Sequence, residues 1–155
     1  MQGTPPWYRP SHRAGVVVAG DDGRLLVTVR VPTLVTLLDP LGADPWGVGT
    51  VGVDEVQAAL RERRLRPDNP CWQDTQQAVS STRTHGERIA WLVHHGWDID
   101  TELMHVDVDE YGGIGLNEGN HRLFALAFLG VAGPITVELS GYLDVAEVLF
   151  GVTIP

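Results

Sequence analysis

The stretch Glu118-Gly119-Asn120-His121-Arg122 sets a carboxylate, a glycine, an amide, an imidazole and a guanidinium side by side. Residues 114–117 before it read as a short strand and residues 123–129 after it as an apolar helix. The stretch therefore reads as strand, tight glycine turn and helix. Backbone N–H groups at such a helix start point outward and attract phosphate. Gly119 lets the backbone approach a ligand closely. The Arg122 fork of donors matches phosphate oxygens, and His121 adds a further donor. Glu118, at the strand end, is placed to hold a metal ion or to act as a base. A purely structural reading of the same residues stays open: Asn120 caps the helix, Arg122 pairs with a surface carboxylate and His121 is exposed.

The other reactive side chains are arranged less tellingly. His94 and His95 are neighbours on a helix and diverge by roughly 100°, so they do not share one metal. The six His residues contain no His-x-x-x-His pair and there is no Cys-x-x-Cys, so no zinc site is expected. Cys71 stands alone and excludes a disulfide framework; it reads as an inert, half-buried thiol. Asp98, Asp100 and Glu102, then Asp107, Asp109 and Glu110, read as a solvated acidic surface before a cation site. Arg61, Arg63, Arg64 and Arg66 gather toward a helix end, where positive charge complements the dipole; an anion or nucleic-acid contact is the alternative. The five Trp residues read as core and loop anchors.

The elements that must position these groups are mostly marked by local pattern. Residues 1–14 read as an extended N-terminal arm pinned by Trp7 and Tyr8, and 15–155 as one domain. Residues 16–18 and 25–29 flank Asp22-Gly23 and predict a β-hairpin. Residues 34–38 predict a third strand, and 39–50 a loop rich in Gly and Pro. A helix is expected from Asp54, whose carboxylate caps it, to Pro67. Gln76 to Val79 suggests a helical turn. Thr84-His85-Gly86-Glu87 reads as a capping box before a helix with Ile89, Leu92 and Val93 inward and Gly96 at its end. Residues 102–108 alternate as a half-buried strand. Asn120 caps the helix that Gly130 ends, 134–139 form another strand, and Asp144 caps a last helix.

Length and composition set the outer bounds. A chain of 155 residues suits one domain, which buries about 68–70% of its unfolded surface and needs no staples. Hydrophobic residues make up 43% and charged residues 20%, as in a globular protein. All 11 basic residues are Arg, against 20 Asp+Glu, for a formal net charge of −9. Such acidity argues against a general duplex-DNA binder. The absence of Lys fits a GC-rich bacterial or phage coding sequence. The longest uncharged apolar run, 123–137, is broken by Gly130, Gly133 and Pro134 and falls short of the ~20 residues of a spanning helix. Arg9 and Arg13 precede a short apolar run that reads as a strand and not as a signal peptide. A cytoplasmic, reducing setting is the expectation.

Glu118-Gly119-Asn120-His121-Arg122-Leu123-Phe124-Ala125-Leu126, then Leu129-Gly130 and Ile135-Thr136-Val137, resembles the ParB/sulfiredoxin-like domain. That family carries an acidic or small residue, Gly, two variable residues and Arg, then a small apolar helix, a Gly and a strand. Residues 87–95 with Gly96, and 102–108, resemble the preceding helix and strand, and Arg66-Pro67-Asp68-Asn69-Pro70 echoes the box that opens ParB domains. The resemblance spans roughly residues 50–140 and implies an α+β fold, a small mixed sheet with helices, here with an added N-terminal β-hairpin.

The family uses this loop for nucleotide. The resemblance implies ATP or CTP with Mg²⁺ as ligand, Gly119, Asn120, His121 and Arg122 as a phosphate cradle, and Glu118 at the place of a functional acid in related kinases. Phosphoryl transfer or NTP hydrolysis is the activity implied. Two departures narrow it. Asn120 stands where sulfiredoxins have their catalytic Cys, so sulfinic acid reduction is not expected. His121 replaces the second Arg of ParB proteins, and 151–155 leave no room for a helix-turn-helix, so sequence-specific DNA binding is not expected. The rival expectation is a non-catalytic module of the same fold, meeting a basic protein partner through its acidic surface and the Trp7-Tyr8 arm. A nuclease is a weaker third.

Overall fold

A computed structural model describes residues 4–15, 17–19, 25–72 and 79–154. The Asp22-Gly23 turn and Gln76 to Ala78 of the expected helical turn lie outside the described residues. The order of elements is β1 (Val17–Ala19), β2 (Leu25–Arg30), α1 (Val31–Leu38), α2 (Val53–Arg61), α3 (Thr82–His95), β3 (Met104–Val108), β4 (Ile114–Glu118), α4 (Asn120–Leu129), β5 (Pro134–Gly141) and α5 (Leu143–Phe150). The fold is mixed α+β. One sheet runs in the order β1-β2-β5-β3-β4. β3 and β5 are parallel, and the other neighbours are antiparallel. The β1–β2 pairing, with Val17 opposite Val27, agrees with the expected hairpin.

Alternation decides the faces of the central strands. Val27 and Val29 of β2, Met104, Val106 and Val108 of β3, and Ile135, Val137 and Leu139 of β5 are all buried. Thr28 and Thr136, opposite each other on the other face, join their hydroxyls at 2.7 Å. Helix α4 is apolar nearly all round because it is packed on two sides. Leu123, Leu126 and Leu129 join the sheet core, while Phe124 and Ala125 join Val56, Ala59, Ile89 and Ala90 of α2 and α3.

Several local expectations are corrected. Residues 34–38 belong to helix α1 and not to a strand: Pro32 occupies its first turn, where a missing N–H and a fixed φ favour helix, and Val31 and Leu34 are buried at helical spacing. Helix α2 is capped by Gly52 and not by Asp54, and it stops at Arg61, with Arg63 at φ 58°. Arg64 and Arg66 therefore leave the helix and bind Glu87 at 2.8 and 3.4 Å. With Glu87 so engaged, the capping box of α3 is Ser81 with Thr84, each side chain bonded to the other's backbone N–H, and not Thr84 with Glu87. Gly119, not Asn120, caps α4, and Tyr142, not Asp144, precedes α5.

Residues 4–15 are tied to the body. Trp7 donates its indole N–H to Val93 O at 3.1 Å, and Tyr8 donates its hydroxyl to Pro134 O at 2.6 Å. The Trp7 ring packs against Trp97, centroids 4.7 Å apart, and over the Cα of Gly96. Both side chains are half-buried against the core, in agreement with an arm pinned by Trp7 and Tyr8.

Candidate functional site

The turn between β4 and α4 opens one wall of a cavity of about 520 Å³. Glu118, Gly119, Asn120, His121 and Arg122 all line it, so the sequence motif is brought to one place. Helix α3 adds Arg88, the loop between α1 and α2 adds Trp46, and the 3₁₀ turn Pro70–Trp72 adds Cys71. Gly119 makes the corner at φ 108°, and a Cβ there would run into Met104. No side chain caps α4; its first helical bond runs from Leu123 N to Gly119 O at 2.8 Å. The N–H groups of the turn before it are therefore presented toward the cavity end of the helix, where the dipole favours negative charge.

Two guanidinium groups face this space. Arg122 donates to Glu102 O, and Arg88 donates to Pro67 O and lies over the Trp91 ring at 5.0 Å. Among the described residues neither has a carboxylate within ion-pair distance. Burial pushes the Arg88 pKa down, Arg122 pushes it down further, and Asp68 and Glu102 oppose. Burial likewise pushes Arg122 down, against the pull of Glu102 and Glu118. Both groups thus keep their charge at a cost in desolvation that an incoming anion would offset. Arg122 is half-buried here, not the surface partner of a carboxylate.

His121 is not exposed and is not a cation. Its Nε2 meets His85 Nδ1 at 2.7 Å, and His85 Nε2 meets Ser80 Oγ at 2.8 Å. The Trp46 indole stacks on both imidazoles with centroids at 4.3 Å. Burial, helped by His85, Arg88 and Arg122, holds His121 down at about 3. Burial and Arg66 hold His85 at about 4, against a weak opposing pull from Asp44. The pair is neutral at neutral pH, so His121 brings no positive charge to the cavity. It anchors Trp46 and the floor. Sequence reasoning missed His85, Trp46 and Arg88. His85 falls on the buried stripe with Ile89 and Leu92 at positions i, i+4 and i+7, a signal that the capping reading obscured.

The loop that carries Trp46 has its own bracing. The Asp44 carboxylate accepts from the backbone N–H of Val48 and of Gly49, both at 3.0 Å. Behind this loop lies a second cavity of about 340 Å³, walled by Leu38, Pro40, Ala43, Leu116 and Leu123. Pro45, Trp46 and Asn120 line both cavities, which therefore adjoin. Asn120 donates from Nδ2 to Leu116 O at 3.3 Å.

Metal ligands do not cluster: among the described residues no three His, Cys, Asp or Glu side chains converge. Glu118 is the sole carboxylate among the described residues lining the larger cavity. That donor set fits a Mg²⁺ ion that arrives on phosphate oxygens, since Mg²⁺ takes one or two carboxylates plus substrate oxygens and water. The Cys71 thiol is exposed at the rim of this cavity and not half-buried as the sequence suggests, and partial desolvation pushes its pKa up. Elsewhere, Ser140 on β5 donates to Asp107 at 2.7 Å and meets His105 Nε2 at 2.9 Å on β3. There the hydroxyl sits between imidazole and carboxylate, the wrong order for activating a serine, which needs the imidazole in the middle.

Comparison with known proteins returns no match: no family model, no curated protein and no solved structure aligns significantly with this chain. No helix among the described residues is long and apolar enough to cross a membrane.

Proposed function

We propose that this chain is a nucleotide-binding α+β domain of the ParB/sulfiredoxin-like kind. The phosphates lie in the larger cavity against Arg88, Arg122 and the open first turn of α4. The observation that carries this reading is the pairing of two partly desolvated guanidinium groups beside an uncapped helix N-terminus. Like charges held together at a cavity wall are costly, and a polyanion relieves both the repulsion and the lost hydration. The positive φ of Gly119 supports close approach of a phosphate to the turn.

A phosphoryl-transfer or NTP-hydrolysing activity follows from the same arrangement. In such chemistry the protein mainly positions groups and neutralises charge. Arg88 and Arg122 orient the phosphates, and Glu118 either holds Mg²⁺ together with them or accepts a proton from the attacking oxygen. Mg²⁺, when bound, supplies charge neutralisation on the transferred group. Asn120 keeps sulfinic acid reduction outside the proposal.

The test is a thermal shift with ATP, CTP and GTP, with and without Mg²⁺, on the wild type and on Arg88→Ala and Arg122→Ala. A ligand at 100 times its Kd adds ~2.7 kcal/mol to stability, which is readily seen. A shift for one nucleotide, weakened at least about tenfold in affinity by each variant, supports the reading. Absence of a shift with every nucleotide sinks it and leaves the protein-interaction module of the same fold as the better account.

A further inference from the structure

The buried histidine pair ends in a hydroxyl that the phosphate site does not use. Ser80, on the segment leading into α3, meets His85 Nε2 with its Oγ at 2.8 Å, and His85 Nδ1 meets His121 Nε2 at 2.7 Å. Here an imidazole lies in the middle, the order that Ser140 lacks. A hydroxyl, an imidazole within hydrogen-bond reach of it and a third group that orients the imidazole are the parts of an activated serine. From this array we propose that Ser80 is a nucleophile for acyl transfer from a carboxylic ester, with His85 as its base and His121 as the residue that positions His85. Ser80 and His85 do not line the larger cavity, so the proposal stands apart from the nucleotide reading.

One tautomer serves this role and satisfies the array. His85 donates Nδ1–H to His121 Nε2, and its free Nε2 accepts the Ser80 hydroxyl proton. Burial fixes the base and frees the nucleophile. His85 and His121 are 0% and 7% exposed, and the Trp46 indole stacks on both rings, so neither imidazole swings away. Ser80 is only partly buried. Its hydroxyl also lies beside the N-terminus of α3. Ser81 takes the Thr84 N–H, and His85 N bonds to Ser81 O. The N–H groups of Thr82 and Arg83, just past Ser80, are the first-turn donors left over, the kind of group that stabilises an oxyanion. In the first step Ser80 Oγ attacks the ester carbonyl while its proton passes to His85 Nε2. The C–O bond to the alcohol breaks, the alkoxide takes that proton, and the acyl group stays on Oγ. Water then attacks the acyl carbon through the same nitrogen, the carboxylic acid leaves, and the proton returns to Ser80. Burial and Arg66 lower the proton affinity of His85, which makes it a weak base. Slow acylation is therefore expected, and a covalent adduct is a better readout than rapid turnover.

The experiment treats the full chain with a fluorophosphonate and maps the adduct by peptide mass spectrometry. In that reaction the Ser80 Oγ–P bond forms, the P–F bond breaks, and fluoride leaves with the hydroxyl proton. The native chain is compared with the urea-unfolded chain and with Ser80→Ala, His85→Gln, His121→Leu and His121→Gln, each shown to be folded by circular dichroism. An adduct on Ser80 of the native chain, absent from the unfolded chain, is expected. Ser80→Ala should abolish it, and His85→Gln should slow it about 100-fold or more. His121→Leu should slow it as well, whereas His121→Gln, whose amide oxygen can accept from His85 Nδ1, should recover most of the rate. p-Nitrophenyl acetate should give a stoichiometric burst of p-nitrophenolate with the native chain. No adduct on Ser80, or equal labelling of the native and unfolded chains, overturns the proposal, and this arm needs no variant to fold. Labelling of His85→Gln at the wild-type rate overturns the base assignment. His121→Gln that labels no faster than His121→Leu overturns the positioning role of His121.

Discussion

At pH 5 an unfolded chain holds both His85 and His121 protonated, while the folded chain holds both neutral. The ordinary imidazole value is 6.5, and the fold sets His85 at about 4 and His121 at about 3, chiefly by burial. Their hydrogen bonds need no added proton. A neutral imidazole has one donor and one acceptor, and the Ser80 hydroxyl can fill either role at the end of the chain. Both pKa values are depressed, so their contribution is fully present above pH 6.5 and is lost as the pH falls toward the folded values. Between those limits the unfolded state binds more protons, and stability declines with falling pH. At pH 5 each ring lies about 1.5 pH units below its unfolded value, and one pH unit corresponds to ~1.4 kcal/mol, so each contributes a loss of ~2 kcal/mol. Together they remove ~4 kcal/mol between pH 8 and pH 5, a large part of the ~5–15 kcal/mol that holds a domain folded.

Urea unfolding at pH 8, 7, 6 and 5 measures this loss, and the double variant His85→Gln/His121→Gln isolates it from the carboxylates. The variant should be less stable than wild type at pH 8 and should approach it at pH 5, because its pH slope lacks these two protons. Imidazole proton resonances of His85 or His121 that titrate near 6.5 in the folded protein would refute the reasoning, as would parallel stability curves for the two proteins.

Two further outcomes follow from particular backbone positions. Gly119→Ala should cost more than ~2 kcal/mol by thermal or urea unfolding, because φ 108° strains an alanine and its Cβ meets the buried Met104. Gly96→Ala should release the N-terminal segment, since its Cβ would occupy the place of the Trp7 ring; faster proteolysis near residues 4–15 and a red-shifted Trp emission are the readouts.

The parts of this fold that were legible in the sequence are those where local pattern and tertiary demand agree. The alternation of residues 102–108 predicted the buried face of β3, and the glycine stops at Gly96 and Gly130 predicted the ends of α3 and α4. Residues 34–38 were misread because an eight-residue helix with Leu and Val throughout carries too little polar contrast to show its period. The motif from Glu118 to Arg122 was found because it is contiguous. Its counterpart was not, because it lies a helix away. His85 and Arg88 are three residues apart on α3, and His121 and Arg122 are adjacent on α4; only the packing of α3 on α4 joins His85 to His121 and sets Arg88 near Arg122. Spacing along one helix says which residues share a face, not which face of another helix they meet. The pairing has a consequence for the site. A neutral, stacked imidazole pair lies under the cavity while two cations line its wall, so the charge that a ligand meets comes from Arg88 and Arg122 and not from histidine. Affinity for an anion at this cavity should therefore stay level from pH 8 to pH 6, a range in which a histidine-based anion site would tighten as its imidazole protonates.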